Sequence, residues 1–279
     1  MAVRHLLGIS GGKDSAALAI YMNTYHPELD IEYFFTDTGK ELPEVYDFLN
    51  ELEGFLGKPI LQLNPHKDFD FWLKSFNFYL PSVQTRWCTR VMKLLPFQEW
   101  IRPMLKQGDE VYSYVAIRAD EPKRTGMAES HPNLHVVMPF RENGINKQHV
   151  IDILDDAGIG LPKYYEWRSR SGCTFCFFQQ KIEWVHLLEH HPDKFKEAMA
   201  YEKIASEHNS PFTWSQGESL AELSRPERVA AIKAEYEKRR QRLEAKRPKN
   251  PLRVGIPIVD IDDLYNCDEG NGACDICTK

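Results

Sequence analysis

Short apolar runs alternate with stretches of helical periodicity in the first part of the chain. The runs predict four strands, over 6–9, 31–36, 60–63 and 111–117. Apolar residues recur three and four positions apart in the segments between them, which predicts helices over 16–22, from Pro43 onward, over 91–105 and over 146–157. This alternation predicts an α/β fold, a doubly wound, mainly parallel sheet covered by helices on both faces.

The end of the chain has a different pattern, that of one long charged helix over 224–250 that begins near Pro226. Its apolar stripe is sparse, and its later half is rich in cations: Lys238, Arg239, Arg240, Arg242, Lys246, Arg247 and Lys249. Cations near a helix C-terminus interact favourably with the helix dipole and are often simply solvated. The alternative is a contact with the phosphate backbone of a nucleic acid. Both interpretations stay open from the sequence.

Composition is that of a globular protein, with 279 residues of which 42% are hydrophobic and 27% charged. A net charge of −6 argues against a uniformly basic nucleic-acid coat. No apolar run approaches the ~20 residues that span a bilayer, and no signal peptide precedes the first strand, so we expect a cytoplasmic protein. In a reducing compartment its six cysteines are expected to be metal ligands or catalytic thiols.

The sharpest local signal is the loop between the first strand and the first helix: Ser10, Gly11, Gly12, Lys13, Asp14 and Ser15. Two glycines allow a tight turn whose N–H groups converge, and the helix that follows directs its positive N-terminus to the same point. The loop therefore predicts an anion site. It is not a Walker A loop, because the glycine spacing differs and Asp14 follows the lysine where a magnesium-binding hydroxyl would stand.

Further candidate residues lie at the ends of two other predicted strands. Phe35, Asp37 and Thr38 lie at the end of the second strand, and Arg118 follows the fourth. Ligands of doubly wound sheets bind at the carboxyl ends of the strands. Helix capping by Asp37 or Thr38 is the structural alternative. Arg118 presents a rigid fork of donors suited to phosphate oxygens.

The cysteines form the second strong signal. Cys173 and Cys176 form a Cys-x-x-Cys pair, Cys88 lies upstream, and the last residues carry a further group: Cys267, Cys274 and Cys277. Two thiolates at this spacing reach one metal ion. The spacing does not distinguish zinc from an iron–sulfur cluster.

These motifs together resemble the PP-loop ATP pyrophosphatases, and within them the phosphoadenylylsulfate (PAPS) reductase branch. The resemblance rests on the Ser10–Ser15 loop, the Asp-Thr-Gly segment at Asp37, the Cys-Thr-Arg element at Cys88, the Arg118 loop and the Ser-Gly-Cys-x-x-Cys motif that ends at Cys176. It implies a fold of the adenine nucleotide α-hydrolase type, which is Rossmann-like, and cleavage of ATP to AMP and pyrophosphate.

The resemblance also implies roles for the site residues. Ser10, Gly11, Gly12 and Ser15 would hold pyrophosphate, Lys13 would neutralise its charge, and Asp14 would place Mg²⁺ or orient the loop. Arg118 would contact phosphate, whereas Phe35, Asp37 and Thr38 would lie by the nucleotide. Lys13, Asp14, Ser15 and Arg118 are thus the candidate catalytic residues. Cys88, Cys173, Cys176 and, as a candidate fourth ligand, Cys274 would hold a 4Fe-4S cluster, with zinc as the alternative.

Within the branch, the chain is similar to the iron–sulfur proteins that supply activated sulfur for DNA phosphorothioation. This similarity implies a sulfurtransferase that adenylates a DNA phosphate and works with a cysteine desulfurase and other phosphorothioation proteins. DNA would bind through the basic helix, no membrane is involved, and a homodimer is left open. The alternatives are a PAPS or adenylylsulfate reductase, a tRNA thiolase, and a non-catalytic, metal-stabilised nucleotide-binding adaptor.

The motifs divide the chain into two expected parts. Residues 1–170 are expected to form the PP-loop nucleotide-binding domain. Residues 171–279 are expected to form a helical appendage that carries the cysteine motifs and the basic helix.

Overall fold

Five parallel strands form a single sheet in the computed structural model of the chain, which describes residues 1–64, 66–126, 131–210 and 212–246. The strand order is β3-β2-β1-β4-β5, and every neighbouring pair is parallel. The strands are β1 (Val3–Gly8), β2 (Ile31–Phe35), β3 (Ile60–Gln62), β4 (Glu110–Tyr114) and β5 (Leu134–Val137).

Helices connect the strands and continue beyond the sheet. They are α1 (Lys13–Tyr25), α2 (Pro43–Leu56), α3 (Phe69–Ser75), α4 (Trp87–Thr89), α5 (Leu95–Lys106), α6 (Pro139–Glu142), α7 (Lys147–Asp156), α8 (Lys181–His190), α9 (Pro192–Glu207), α10 (Leu220–Leu223) and α11 (Pro226–Lys246). A π-helical segment, Arg90–Leu94, joins α4 to α5, and a 3₁₀ turn covers Lys163–Glu166.

The two faces of the sheet carry separate hydrophobic clusters. Leu6 and Leu7 are adjacent on β1 and point to opposite faces, because successive side chains of a strand alternate. Leu6 packs with Phe34 and Phe97 on the α5 face. Leu7 belongs to the larger cluster, which includes side chains of α1, α2 and α7. Helices on both faces of an all-parallel sheet confirm the doubly wound α/β prediction.

The four predicted strands are present, and β5 is an additional strand that the hydrophobic pattern did not indicate. β5 is short and only Leu134 in it is buried, so its apolar signal is weak. The fourth strand ends at Tyr114, earlier than predicted, although the residues that follow it to Ile117 are also buried. Burial without strand pairing explains why the apolar run outlasts the strand.

The helices after position 170 pack against the same hydrophobic cluster as the larger face of the sheet. Phe175, Trp184, Phe195 and Trp214 all belong to that cluster and are at most 2% exposed. α8, α9, α10 and α11 make the predicted helical appendage, with its cysteine pair just before α8. Among the described residues, no helix combines the length and the apolar character that a membrane crossing requires.

The stacked pair Phe34 and Phe97 tests the smaller cluster. Phe97 is fully buried, and the two ring centroids are 5.0 Å apart. We expect Phe97→Ala to lower the free energy of unfolding by about 3–5 kcal/mol, since it removes buried apolar area and leaves a cavity. Val83 is 59% exposed, so Val83→Ala is the surface control, with an expected change below about 0.5 kcal/mol. Denaturant unfolding followed by circular dichroism measures both, and equal losses would contradict the core assignment.

Candidate active site

The loop from Ser10 to Ser15 connects β1 to α1 and is closed by its own hydroxyl groups. The Ser15 hydroxyl accepts from the Ser10 backbone N–H at 3.0 Å, and the two serine hydroxyl oxygens are also 3.0 Å apart. Ser10 Oγ further accepts from the Gly12 N–H at 3.3 Å. These bonds hold the loop in one conformation at the N-terminus of α1, where the helix dipole favours an anion. We call residues 10–15 the anion loop.

Both glycines of the loop are required by close approach. Gly11 has φ +72°, and a Cβ there would lie 2.6 Å from Cγ1 of Val45. A Cβ at Gly12 would lie 2.7 Å from the hydroxyl of Ser171. The side chains of α2 and of the segment before the cysteine pair therefore surround the loop, and only glycine fits at these positions.

One buried and two partly buried charges meet at the start of α1. Lys13 is 5% exposed, and its ammonium is 3.7 Å from Asp14 and 4.9 Å from the ring centroid of Tyr165. Arg118 donates to Asp14 over 2.7 Å. Burial alone would raise the pKa of the Asp14 carboxyl, but Lys13 and Arg118 outweigh it and hold this pKa below its usual value. The Asp14 carboxylate and the Arg118 guanidinium are therefore both charged at neutral pH, since the pKa of Arg118 is raised as well.

Arg118 reaches the loop from the end of a neighbouring strand. β4 pairs with β1, and the strand order reverses between these two strands. Doubly wound sheets bind ligands at such a reversal. The Arg118 loop is itself braced, since Glu121 accepts from the Arg118 backbone N–H at 3.1 Å and from Arg124 at 2.5 Å. The structure thus brings four predicted catalytic residues together: Lys13, Asp14, Ser15 and Arg118.

Asp37, in the segment after β2, makes hydrogen bonds to nearby residues of the protein. Asp37 accepts from the Gly39 N–H at 2.7 Å and from the Tyr46 hydroxyl at 2.8 Å. Phe35 is buried, and its carbonyl accepts from Leu63 in the sheet. The helix-capping alternative for Asp37 and Thr38 is wrong, because the N-cap residue of α2 is Leu42 and no side chain caps that helix. A nucleotide role for Phe35 and Asp37 stays a prediction.

Thr38 lies at the cysteine pair. Its hydroxyl donates to Glu41 at 3.0 Å and is 3.2 Å from the Cys173 sulfur, which is itself 3.6 Å from Glu41. Burial, together with the Glu41 carboxylate, raises the pKa of the Cys173 thiol well above its usual value. Thr174 continues the junction, because its backbone N–H and its hydroxyl both donate to the Lys40 carbonyl at 2.7 Å. The segment after β2 therefore connects the sheet to the thiols.

The predicted metal ligands are only partly assembled. The Cys176 N–H donates to the Cys173 carbonyl at 3.1 Å, so the pair lies on one turn. Cys88 is in α4, whose Trp87 shares an aromatic cluster with Phe175 through Phe69. Among the described residues, no three Cys, His, Asp or Glu side chains are grouped closely enough to hold a metal ion. Three predicted thiols lie outside the described residues: Cys267, Cys274 and Cys277.

The chemistry of the donor set nevertheless fits a thiolate-bound group. Soft sulfur donors on one turn suit zinc or an iron–sulfur cluster and are poor ligands for Mg²⁺. Lys93 of the π-helical segment lies close enough to Cys173 to lower the pKa of that thiol, although burial and Glu41 outweigh this effect. Lys93 therefore adds positive charge near the Cys-x-x-Cys turn. We call this turn, residues 173–176, the thiol turn.

Two tyrosines and a serine connect the anion loop to the thiols, and the sequence pattern did not single out the tyrosines. The buried Tyr164 hydroxyl donates to the Gly11 carbonyl at 2.6 Å, and Tyr165 Oη accepts from the Lys13 N–H at 3.3 Å. Ser171 Oγ is 3.4 Å from Ser10 Oγ. The Ser-Gly-Cys motif carried the signal for Ser171. No local signal marked Tyr164 or Tyr165, because their partners lie more than 150 positions away in the sequence.

A parallel sheet with a glycine-rich loop at its point of reversal is the arrangement that many nucleotide-binding α/β proteins share. Residues 4–132 match the family model of the phosphoadenosine phosphosulfate reductase domain. This match covers somewhat less than half of the chain.

Individual proteins that resemble this chain do so at low sequence identity. An uncharacterized protein of Methanocaldococcus jannaschii, MJ0973, is 26% identical over 67% of this chain, and the match spans 44% of that protein's own length. PAPS reductase from Candida auris is 12% identical, with a TM-score of 0.47, over 62% of this chain and 81% of its own. The U34-tRNA thiolase NcsA from Methanococcus maripaludis, solved with its 4Fe-4S cluster, is 14% identical, with a TM-score of 0.41, over 73% of this chain and 72% of its own.

The ion pair between Arg118 and Asp14 yields a pH-dependent prediction. We expect Arg118→Met to lower the free energy of unfolding at neutral pH by about 3 kcal/mol, because a buried carboxylate loses its bonded partner. The depressed pKa of Asp14 stabilises the wild type above the ordinary carboxyl pKa, and this contribution is lost as pH falls through the folded-state pKa. The difference between the two proteins should therefore shrink below about pH 4.

Denaturant titrations over a pH series measure this difference. A double variant, Asp14→Asn with Arg118→Met, removes both charges and should recover part of the loss at neutral pH. A stability difference that is the same at every pH would argue against a charged Asp14.

Proposed function

We propose that the chain is an ATP pyrophosphatase that activates a substrate phosphate for sulfur incorporation, with DNA phosphorothioate modification as its process. The observation that carries the proposal is the contact between the anion loop and the cysteine-bearing segment, in which Ser171 lies against Ser10 and Gly12. An enzyme that first adenylates a phosphate and then delivers sulfur to it needs the nucleotide and the sulfur side by side.

The first step transfers adenylate. An oxygen of the acceptor phosphate attacks the α-phosphorus of ATP, the bond to the bridging oxygen of the β-phosphate breaks, and pyrophosphate leaves. Ser10, Gly11, Gly12 and Ser15 would bind the departing pyrophosphate, and Lys13 would offset its developing charge. Such preorganised donors typically stabilise the transition state by several kcal/mol. Asp14 would place Mg²⁺ or orient the loop, while Arg118 would bind phosphate from across the strand reversal.

The second step replaces oxygen by sulfur. A hydrosulfide-level sulfur attacks the activated phosphorus, the bond to the AMP oxygen breaks, and AMP leaves. We expect that sulfur to come from a cysteine desulfurase as a persulfide, which a thiol reductant cleaves with two electrons. Other phosphorothioation proteins would act with it, and the need for ATP and reduced thiols places the reaction in the cytoplasm.

The thiol site would serve the second step. Cys173, Cys176 and Cys88 would hold a 4Fe-4S cluster, or zinc as the alternative, with a further ligand such as Cys274. When bound, an iron with an open coordination position supplies a place for sulfide. Thr38, whose hydroxyl is 3.2 Å from the Cys173 sulfur, would orient this side of the site toward the segment after β2, and Lys93 would supply positive charge near Cys173.

The family match favours one second candidate, a PAPS or adenylylsulfate reductase. That reaction takes two electrons from a thiol and releases sulfite and the adenosine phosphate. Anaerobic protein incubated with Mg²⁺, ATP, PAPS and a thiol reductant separates the candidates by chromatography of the products. AMP and pyrophosphate, with PAPS intact, support the proposal; adenosine 3′,5′-bisphosphate and sulfite, with ATP intact, support the reductase.

The role of the loop hydroxyl is tested by Ser15→Ala. Ser15 is 1% exposed and bonds to both ends of the loop. We expect the rate of AMP formation to fall by about 10²-fold or more, as for loss of one donor that stabilises developing charge. Thr24→Ala removes an exposed hydroxyl from the same helix and should leave the rate unchanged. Quantification of AMP by chromatography decides, and an active Ser15 variant would sink the assignment of the loop.

The basic half of α11 is the proposed DNA contact. Lys238 and Arg242 are exposed, whereas neighbouring Arg239 is 2.5 Å from Glu235. We expect the double variant Lys238→Ala with Arg242→Ala to weaken binding to duplex DNA and to reduce the salt slope of the binding constant by about 2. The control removes two exposed lysines from α9, Lys196 and Lys203. Fluorescence anisotropy over a salt series measures the slopes. Equal slopes in all three proteins would mean that the basic half of α11 is solvated and does not contact DNA.

A further inference from the structure

Arg168 is a buried cation that neither the anion loop nor the proposed chemistry has used. Its residue is 1% exposed, and it lies in the stretch between the 3₁₀ turn and the cysteine pair. Its guanidinium donates to the carbonyls of Gly172 at 3.1 Å and of Cys173 at 2.8 Å. The buried Nε of Arg168 has no hydrogen-bond partner. The fork of this side chain therefore holds the backbone that carries the first thiol of the pair.

No carboxylate balances this charge. Within the described ranges, no acidic side chain lies in ion-pair distance of Arg168, in contrast to the bonded pair of Arg118 and Asp14. Glu183 is fully buried, but its two oxygens accept from Ser169 and from the Gln180 N–H. An isolated ion in a protein interior is costly unless an opposite charge accompanies it. A bound group of negative charge would balance it.

The thiol turn is the place where such a group would lie. Gly172 has φ +144°, and a Cβ built on it would be 3.7 Å from a terminal guanidinium nitrogen of Arg168 and 4.0 Å from Cβ of Cys176. The guanidinium thus contacts the backbone of Cys173 and shares the surroundings of Gly172 with Cys176. Two thiolates on a bound metal carry negative charge next to a buried cation.

We propose that Arg168 is a positioning residue and the counter-charge for a metal group that Cys173 and Cys176 hold as thiolates. The inference rests on the thiol site of the proposed function, but it concerns metal binding and not ATP cleavage. Its two contributions are separable. The fork of donors orients the turn, and the positive charge offsets the charge of the thiolates. A residue that only held the turn in place would need the hydrogen-bond donors but not the positive charge.

Two replacements separate donors from charge. Arg168→Lys keeps the charge but loses the fork, whereas Arg168→Gln keeps an amide donor and is neutral. The full-length, reduced protein is titrated anaerobically with Co²⁺, and binding is followed by the thiolate-to-cobalt charge-transfer absorption. We expect the Gln variant to bind Co²⁺ at least about 10-fold more weakly than wild type, and the Lys variant to lie between the two. Arg102→Gln, at an exposed position on α5, is the matched control and should bind as wild type.

Thermal melts and ATP binding establish that each variant is folded. If the Gln variant melts below the assay temperature, the Lys variant decides, and a loss beyond about 10-fold despite its retained charge overturns the proposal. Equal weakening of the Lys and Gln variants, unchanged binding by Gln, or absence of the charge-transfer band in wild type also overturns it. A wild type that shows the expected cobalt pattern yet forms no AMP would instead overturn the proposed function alone.

Discussion

The architecture of the site depends on the close approach of residues 164–174 to the anion loop. Gly11 and Gly12 carry no Cβ, which leaves room for Val45 and for the Ser171 hydroxyl at the loop backbone. The Tyr164 hydroxyl then closes the contact by a 2.6 Å bond to the Gly11 carbonyl. Since the same stretch continues directly into the cysteine pair, the conformation of the anion loop and the position of the thiols are set by one packing arrangement.

Buried charge is handled in two different ways in this molecule. At the anion loop, Asp14 accepts from Arg118 and lies near Lys13, so the carboxylate is balanced within the protein. Arg118 also pairs with Asp120 and Glu121, so the charges around the loop largely cancel one another. Under the thiol turn, Arg168 donates to two backbone carbonyls and, in the part of the chain that the structure describes, to no carboxylate. The first arrangement is complete without a ligand, whereas the second has charge left to balance.

The stretch that matches the PAPS reductase domain model, residues 4–132, contains the anion loop, the segment after β2 and Cys88, but ends before the cysteine pair. The later residues complete the site through tertiary contacts, since Thr174 bonds to Lys40 and Cys173 lies against Thr38. The anion loop and the cysteine pair are thus joined across the fold. This contact is the physical basis of our proposal that one protein both activates a phosphate and delivers sulfur to it.

The local elements of this protein follow from its sequence, because glycine geometry, apolar periodicity and strand-to-helix transitions act over a few residues. They determined the anion loop, four of the five strands and the Cys-x-x-Cys turn. The sequence pattern did not indicate β5, because a strand that is mostly half-buried carries little apolar signal. This strand is defined by its pairing with β4. The tertiary structure alone decided that Thr38 contacts Cys173 and that Arg168 is buried with no carboxylate of the described residues in ion-pair distance. Thr38 and Cys173 are 135 positions apart, and the burial of Arg168 also comes from distant segments, so both depend on how the helices pack on the sheet and on no local pattern.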